Sequence, residues 1–195
     1  MHDGLDAQLI GALHLARNPA TPRAAVTAQL EEALDHLKLT VDAMHDTEGD
    51  LSSLLCALRY RLGPRLEAAG IQLAWNVEEL PDIEGWTLDR ARDLQMILYE
   101  GISNILTHAR ARHFTIAAHH EAAGDRVLVV LGDDGCGFVP GVEATAGDAA
   151  AAIPPRRGRG LANLQLRTRR LGARLDIRSS ALGTTLALSL PRRAG

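Results

Sequence analysis

Lysine is almost absent from this 195-residue chain: of its 21 basic side chains, Lys38 alone is not arginine. Genomic base composition is a sufficient cause, yet the skew has a chemical consequence. A phosphate bound here must be met by arginine, by backbone N–H groups or by a metal. Cysteine is scarce too. Cys56 and Cys136 lie far apart and form no CxxC pair, which excludes a disulfide scaffold and a cysteine-rich zinc site and fits a reducing compartment. Aromatic residues make up 3% of the chain, so leucine, alanine, valine and isoleucine must build the core. No apolar run approaches the roughly 18 residues of a membrane span, and the first residues lack the charged and apolar regions of a signal peptide. The formal net charge is −3, so bulk charge does not direct the chain to nucleic acid or to a membrane surface.

What is present is periodic. Residues 2–17 carry Leu5, Leu9, Ile10 and Leu13 at helical spacing, and residues 23–46 carry Val26, Leu30, Leu34, Leu37 and Val41. Asn18–Pro22 is a turn between them. Thr47–Asp50 reads as a break, followed by a helix over Leu51–Ala69 with Gly70 as its cap and a kink at Pro64. Strands are predicted over 71–77, 113–120, 126–132, 174–179 and 184–190, and helices over 88–111 and 160–171. Residues 139–157, rich in Ala, Gly and Pro, read as a loop or lid. The fold class is α+β: a helical hairpin over 1–49, then helices on a mainly antiparallel sheet over 50–195. Two amphipathic helices cannot bury their stripe alone, so the hairpin is predicted to dimerise into a four-helix bundle.

Four short motifs carry chemistry. Glu100, Asn104 and His108 recur at every fourth position of the predicted helix 88–111 and share one side of it. A carboxylate and an amide one turn apart suit a hydrated Mg²⁺; a solvated polar face has the same spacing. Asp133-Asp134-Gly135-Cys136-Gly137-Phe138 follows a strand directly, and its glycines let backbone approach a ligand. Gly158-Arg159-Gly160-Leu161 opens a helix, where free N–H groups attract phosphate, with Arg156, Arg157 and Arg159 close by. Gly183-Thr184-Thr185 enters the last strand. Each motif alone also reads as an ordinary turn, cap or charged surface.

In this order they are specific. YEGISNILTHARA, DDGCGF, GRGLANLQLRTRRLG and GTTLALSLP resemble the boxes of the ATP-binding domain of sensor histidine kinases, of the Bergerat type shared with gyrase and Hsp90, over about residues 51–191. The resemblance implies an α/β-sandwich fold binding ATP and Mg²⁺. It places Asn104 on the metal, Glu100 beside the metal's waters and Asp133 on adenine. Gly135, Gly137, Gly158, Gly160, Leu161, Thr184 and His108 line the nucleotide site, and residues 139–157 form the ATP lid. The family often has Lys before the box histidine; here that position is Thr107.

The start of the chain, MHDGLDAQL, resembles the phosphoacceptor box of the subfamily in which Asp follows His, the nitrate-sensor and desaturase-sensor types. His2 is then the phosphorylated nucleophile, and Asp3 orients its ring or accepts its proton. The family's Gln five residues after the His is Ala7 here, with Gln8 next, which puts phosphatase activity in doubt. The implied partners are a response-regulator receiver domain and a second copy of the chain, with no direct nucleic acid contact and with transfer requiring a hinge near Thr47–Asp50. The chain is expected to be a cytoplasmic piece of a longer, membrane-linked parent. The rival expectations are a Ser/Thr kinase of anti-sigma type and a degenerate, dimerising nucleotide domain. Of the remaining histidines, His45 repeats Met-His-Asp without the rest of the box, and His14, His36, His113, His119 and His120 read as surface. Cys136 reads as a small buried residue, and Trp75 and Trp86 as sheet-edge or core packing.

Overall fold

Alternation builds the sheet and three-to-four spacing builds the helices that cover it. In the computed structural model residues 49–137 and 157–193 are described continuously, together with residues 10, 12–18, 21–23, 25–27, 30 and 34. Two compact units divide at 45/46. Within the first, the described residues 12–17 are helical, as are 23, 25–27, 30 and 34. Ala12 is buried there, whereas Ile10, Leu13, Leu30 and Leu34 are exposed.

The second unit runs α1 (Leu51–Ala68), β1 (Gln72–Val77), α2 (Leu88–Asn104), a π-helical turn (Ile105–Ala109), β2 (His113–Glu121), a 3₁₀ turn (Ala122–Gly124), β3 (Arg126–Asp133), α3 (Arg157–Arg170), β4 (Arg174–Ser180) and β5 (Gly183–Pro191). The strands form one sheet in the order β1-β2-β3-β5-β4. β1 pairs with β2 in parallel, and the other neighbours are antiparallel. The register aligns Ile116, Leu131 and Leu186 in one row and Ala118, Val129 and Leu188 in the next, all buried.

Three helices supply the opposite half of the core. α1 buries Leu51, Leu54, Leu55, Leu58, Leu62 and Leu66, one face at helical spacing. Asp50 caps it, accepting from Ser53 N–H at 2.8 Å; that bond holds the Asp50 carboxyl below its usual range. The helix passes through Pro64 and ends one residue before the predicted limit, with Ala69 as its C-cap and Gly70 beyond at φ +70°. α2 lies over β3 and against α3. Gly101 allows that approach: a Cβ there would stand 2.9 Å from Leu131 Cδ1.

Structure and sequence differ in two helices. The α-helix predicted over 88–111 stops at Asn104 and continues as the π turn, ending in Arg110 at φ 54°. The helix predicted from Gly160 begins at Arg157, because the run of good helix formers after Gly160 carries helical winding back across both glycines at a cost of about 1 kcal/mol each. Gly49 and Asp50, predicted as hinge residues, are bound within the second unit. Trp86 Nε1 donates to Gly49 O at 3.0 Å and Asp50 caps α1.

Candidate functional site

The ends of α2, β3 and β5 converge, and three of the four sequence motifs meet there. Glu100 and Asn104 lie one turn apart near the end of α2, Glu100 half-buried and Asn104 exposed. Asn104 makes no side-chain capping bond to the π turn that follows. Its amide oxygen and the Glu100 carboxylate are hard oxygen donors, and Mg²⁺ needs few protein ligands when it keeps waters and phosphate oxygens, so the pair fits that ion. For His108 only the expected α-helical register is corrected. The π turn inserts an extra residue per turn, so His108 does not continue the α-register of Glu100 and Asn104. It is exposed, and its backbone O accepts from Cys136 Sγ at 3.5 Å.

The π turn delivers its last carbonyl to the glycine motif: Cys136 N–H donates to Ala109 O at 2.8 Å. Gly135 lies so close to this turn that a Cβ would sit 2.2 Å from Ala109 O. Gly137 is constrained twice. Its φ is +57°, and a Cβ would sit 1.9 Å from Ser180 O in the β4–β5 hairpin. Both glycines therefore weld three elements together whether or not they also border a ligand. Cys136 is exposed, which corrects its reading as buried, although its N–H and its Sγ both donate to carbonyls of the π turn. Thr184 Oγ1 and Ser179 Oγ share a 2.9 Å hydrogen bond across the same hairpin.

The two adjacent acids differ in environment. Asp133 is half-buried; its Oδ1 accepts from Gly135 N–H at 2.8 Å, and Oδ2 has no hydrogen-bond partner among the described residues. Asp134 is engaged throughout. Its Oδ1 accepts from the N–H groups of Arg112 and His113, both at 2.8 Å, and its Oδ2 meets His113 Nδ1 at 2.6 Å. The His113 N–H, its ring and the Arg112 N–H hold the Asp134 carboxyl far below its usual range. Sequence reading singled out Asp133 and missed Asp134 and His113, whose pairing across 21 residues left no local signal.

The fourth motif opens α3. Gly158 and Gly160 lie in its first turn, where backbone N–H groups have no intrahelical acceptor. α3 is fastened to α2 by Arg167 to Asp93 at 3.0 Å. Arg90 Nη2 also donates to Leu171 O at 3.3 Å, while its Nη1 donates to Glu84 O at 2.9 Å. The side chain of Leu161, His2, Asp3 and residues 138–156, with almost all of the expected lid, lie outside the described residues. Among those described, no cluster of three His, Cys, Asp or Glu could hold a metal, and no helix is long and apolar enough to cross a membrane.

Comparison with solved structures shows the same fold in histidine kinases. The histidine kinase domain of the blue-light activated kinase EL346 of Erythrobacter litoralis superposes with a TM-score of 0.56 at 18% identity, covering 96% of this chain and 95% of that one. Acinetobacter baumannii histidine kinase AdeS gives 0.55 at 13%, covering 96% and 93%. Full-length ShkA in complex with AMPPNP gives 0.58 at 24%, covering 96% of this chain and 43% of that one. No curated protein matches the chain. Residues 89–194, just over half of the chain and all four motifs, match one family, and the chain belongs to it: the histidine kinase-, DNA gyrase B- and HSP90-like ATPases.

Proposed function

We propose that this chain is an ATP-dependent protein histidine kinase that phosphorylates His2 and passes the phosphoryl group to an aspartate of a response regulator. The observation that supports it best is the convergence at the ends of α2, β3 and β5. Asn104 and Glu100 lie on the helix whose π-turn extension docks on the glycine turn, and Asp133 in that turn has one carboxylate oxygen without a hydrogen-bond partner among the described residues, as an exocyclic amine requires. AMPPNP in ShkA is a further pointer to an adenine nucleotide. Asp133 Oδ2 takes the adenine amine, the first turn of α3 offers N–H groups to phosphate, and Asn104 and Glu100 hold Mg²⁺. When bound, that ion neutralises phosphate charge. The His2 imidazole attacks the γ-phosphorus, the bond to the β–γ bridging oxygen breaks, ADP leaves, and Asp3 accepts the ring proton. The exposed Ile10, Leu13, Leu30 and Leu34 support a homodimer through 1–49.

Incubation with Mg-ATP followed by mass mapping tests this. An acid-labile, base-stable phosphate is expected on His2 and absent from His2→Gln. Label that persists in His2→Gln points to another acceptor and to the anti-sigma-type reading. Nucleotide binding unaffected by Asn104→Ala rules out the metal assignment.

A further inference from the structure

Asp134 is the most heavily bonded acid of the site, yet nothing in the proposed phosphoryl transfer uses it. Its three accepted hydrogen bonds come from two consecutive residues, Arg112 and His113, and its own N–H donates back to His113 O at 3.3 Å. The strand register does not need these bonds, because Phe114 already pairs with Asp133 in the β2–β3 ladder. What the bonds fix is the direction of the chain immediately after Asp133. Asp133 is fixed from the other side by Gly135 N–H on Oδ1. One carboxylate oxygen is thereby left at a defined place.

We infer that His113 and Asp134 are positioning residues that hold Asp133 rigid and so set the preference of the site for adenine over guanine nucleotides. The inference rests on the assignment of Asp133 to the base. Adenine carries an amine, a donor, at the ring position where guanine carries a carbonyl oxygen. A carboxylate fixed opposite that position pairs with the first and repels the second. A carboxylate free to swing away loses the pairing and also the repulsion. Sites built around a fixed polar partner discriminate strongly, and a loosened partner removes that discrimination. The ring of His113 is 61% exposed, so its removal leaves the core untouched.

The test compares AMPPNP and GMPPNP affinities, with Mg²⁺, in the full chain and its variants. His113→Ala is expected to lower the AMPPNP-to-GMPPNP preference about tenfold, the worth of roughly one positioned hydrogen bond, with little change in Tm. His113→Asn places an amide N–H near the position of Nδ1 and is expected to restore the preference. His113→Gln reaches toward Nε2 instead and is expected not to. An unchanged preference in His113→Ala while Asp133→Asn destroys it overturns the inference, and so do equal preferences in the Asn and Gln variants. AMPPNP binding that survives Asp133→Asn overturns the base assignment itself.

Discussion

Asp133 and Asp134 are chemically identical neighbours, and only their partners separate them. Asp134 accepts from His113 and Arg112, which lowers its folded-state pKa below the unfolded value. Its contribution is therefore complete above the ordinary carboxylate range and is lost as pH falls below about 4 toward the depressed folded value. Asp134→Asn is expected to flatten the acid limb of stability against pH, measured by urea unfolding between pH 3 and 7; an unchanged limb would mean the bonds contribute nothing. Gly137 yields a second expectation. A side chain at its φ of +57° costs about 1–2 kcal/mol, and the clash with Ser180 O adds to that. Gly137→Ala should thus lower Tm by several degrees and weaken nucleotide binding together. A lowered affinity with unchanged Tm would contradict the welding role. The turn in DDGCGF was legible in the sequence from its two glycines. The division of labour inside it was not, because the partners of Asp134, Arg112 and His113, lie 22 and 21 residues away, just before and at the start of β2.

The helices show where local signals suffice and where they fail. α1 was readable from the break before Leu51 and from Gly70 after it, both local signals; its cap Asp50 was read only as part of the break. Asp50→Ala should cost about 1 kcal/mol and Leu62→Ala, fully buried, about 2–5 kcal/mol; chemical denaturation checks both. The π turn was not readable. Ile102, Ile105 and Ala109 keep a three-to-four spacing that an α-helix also satisfies, and the bond from Cys136 N–H to Ala109 O joins residues far apart in sequence. The start of α3 was likewise misjudged, because glycines signal loops on average and the helix formers after them outweigh that preference.

For the whole molecule, the division into two units and the sheet order follow from different kinds of information. The sequence signalled a break at Thr47–Asp50 through its glycine and acids, and the units divide slightly earlier, at 45/46. The order β1-β2-β3-β5-β4 was not signalled, since no pattern within a strand names its neighbours. The apolar stripe of the first unit leads to an expectation at this scale: Leu30→Glu with Leu34→Glu should convert a dimer to a monomer in light scattering, and an unchanged mass would place the dimer contact elsewhere. The parallel pairing of β1 with β2 has a kinetic meaning. β2 with β3 and β4 with β5 are neighbours in sequence, whereas β1 reaches β2 only after α2 has closed the crossover between them. Local pairs form before distant ones, and β1 is an edge with a single partner strand. In hydrogen exchange, Gln72–Val77 should be the last strand to gain protection during refolding and the first to lose it in the native state.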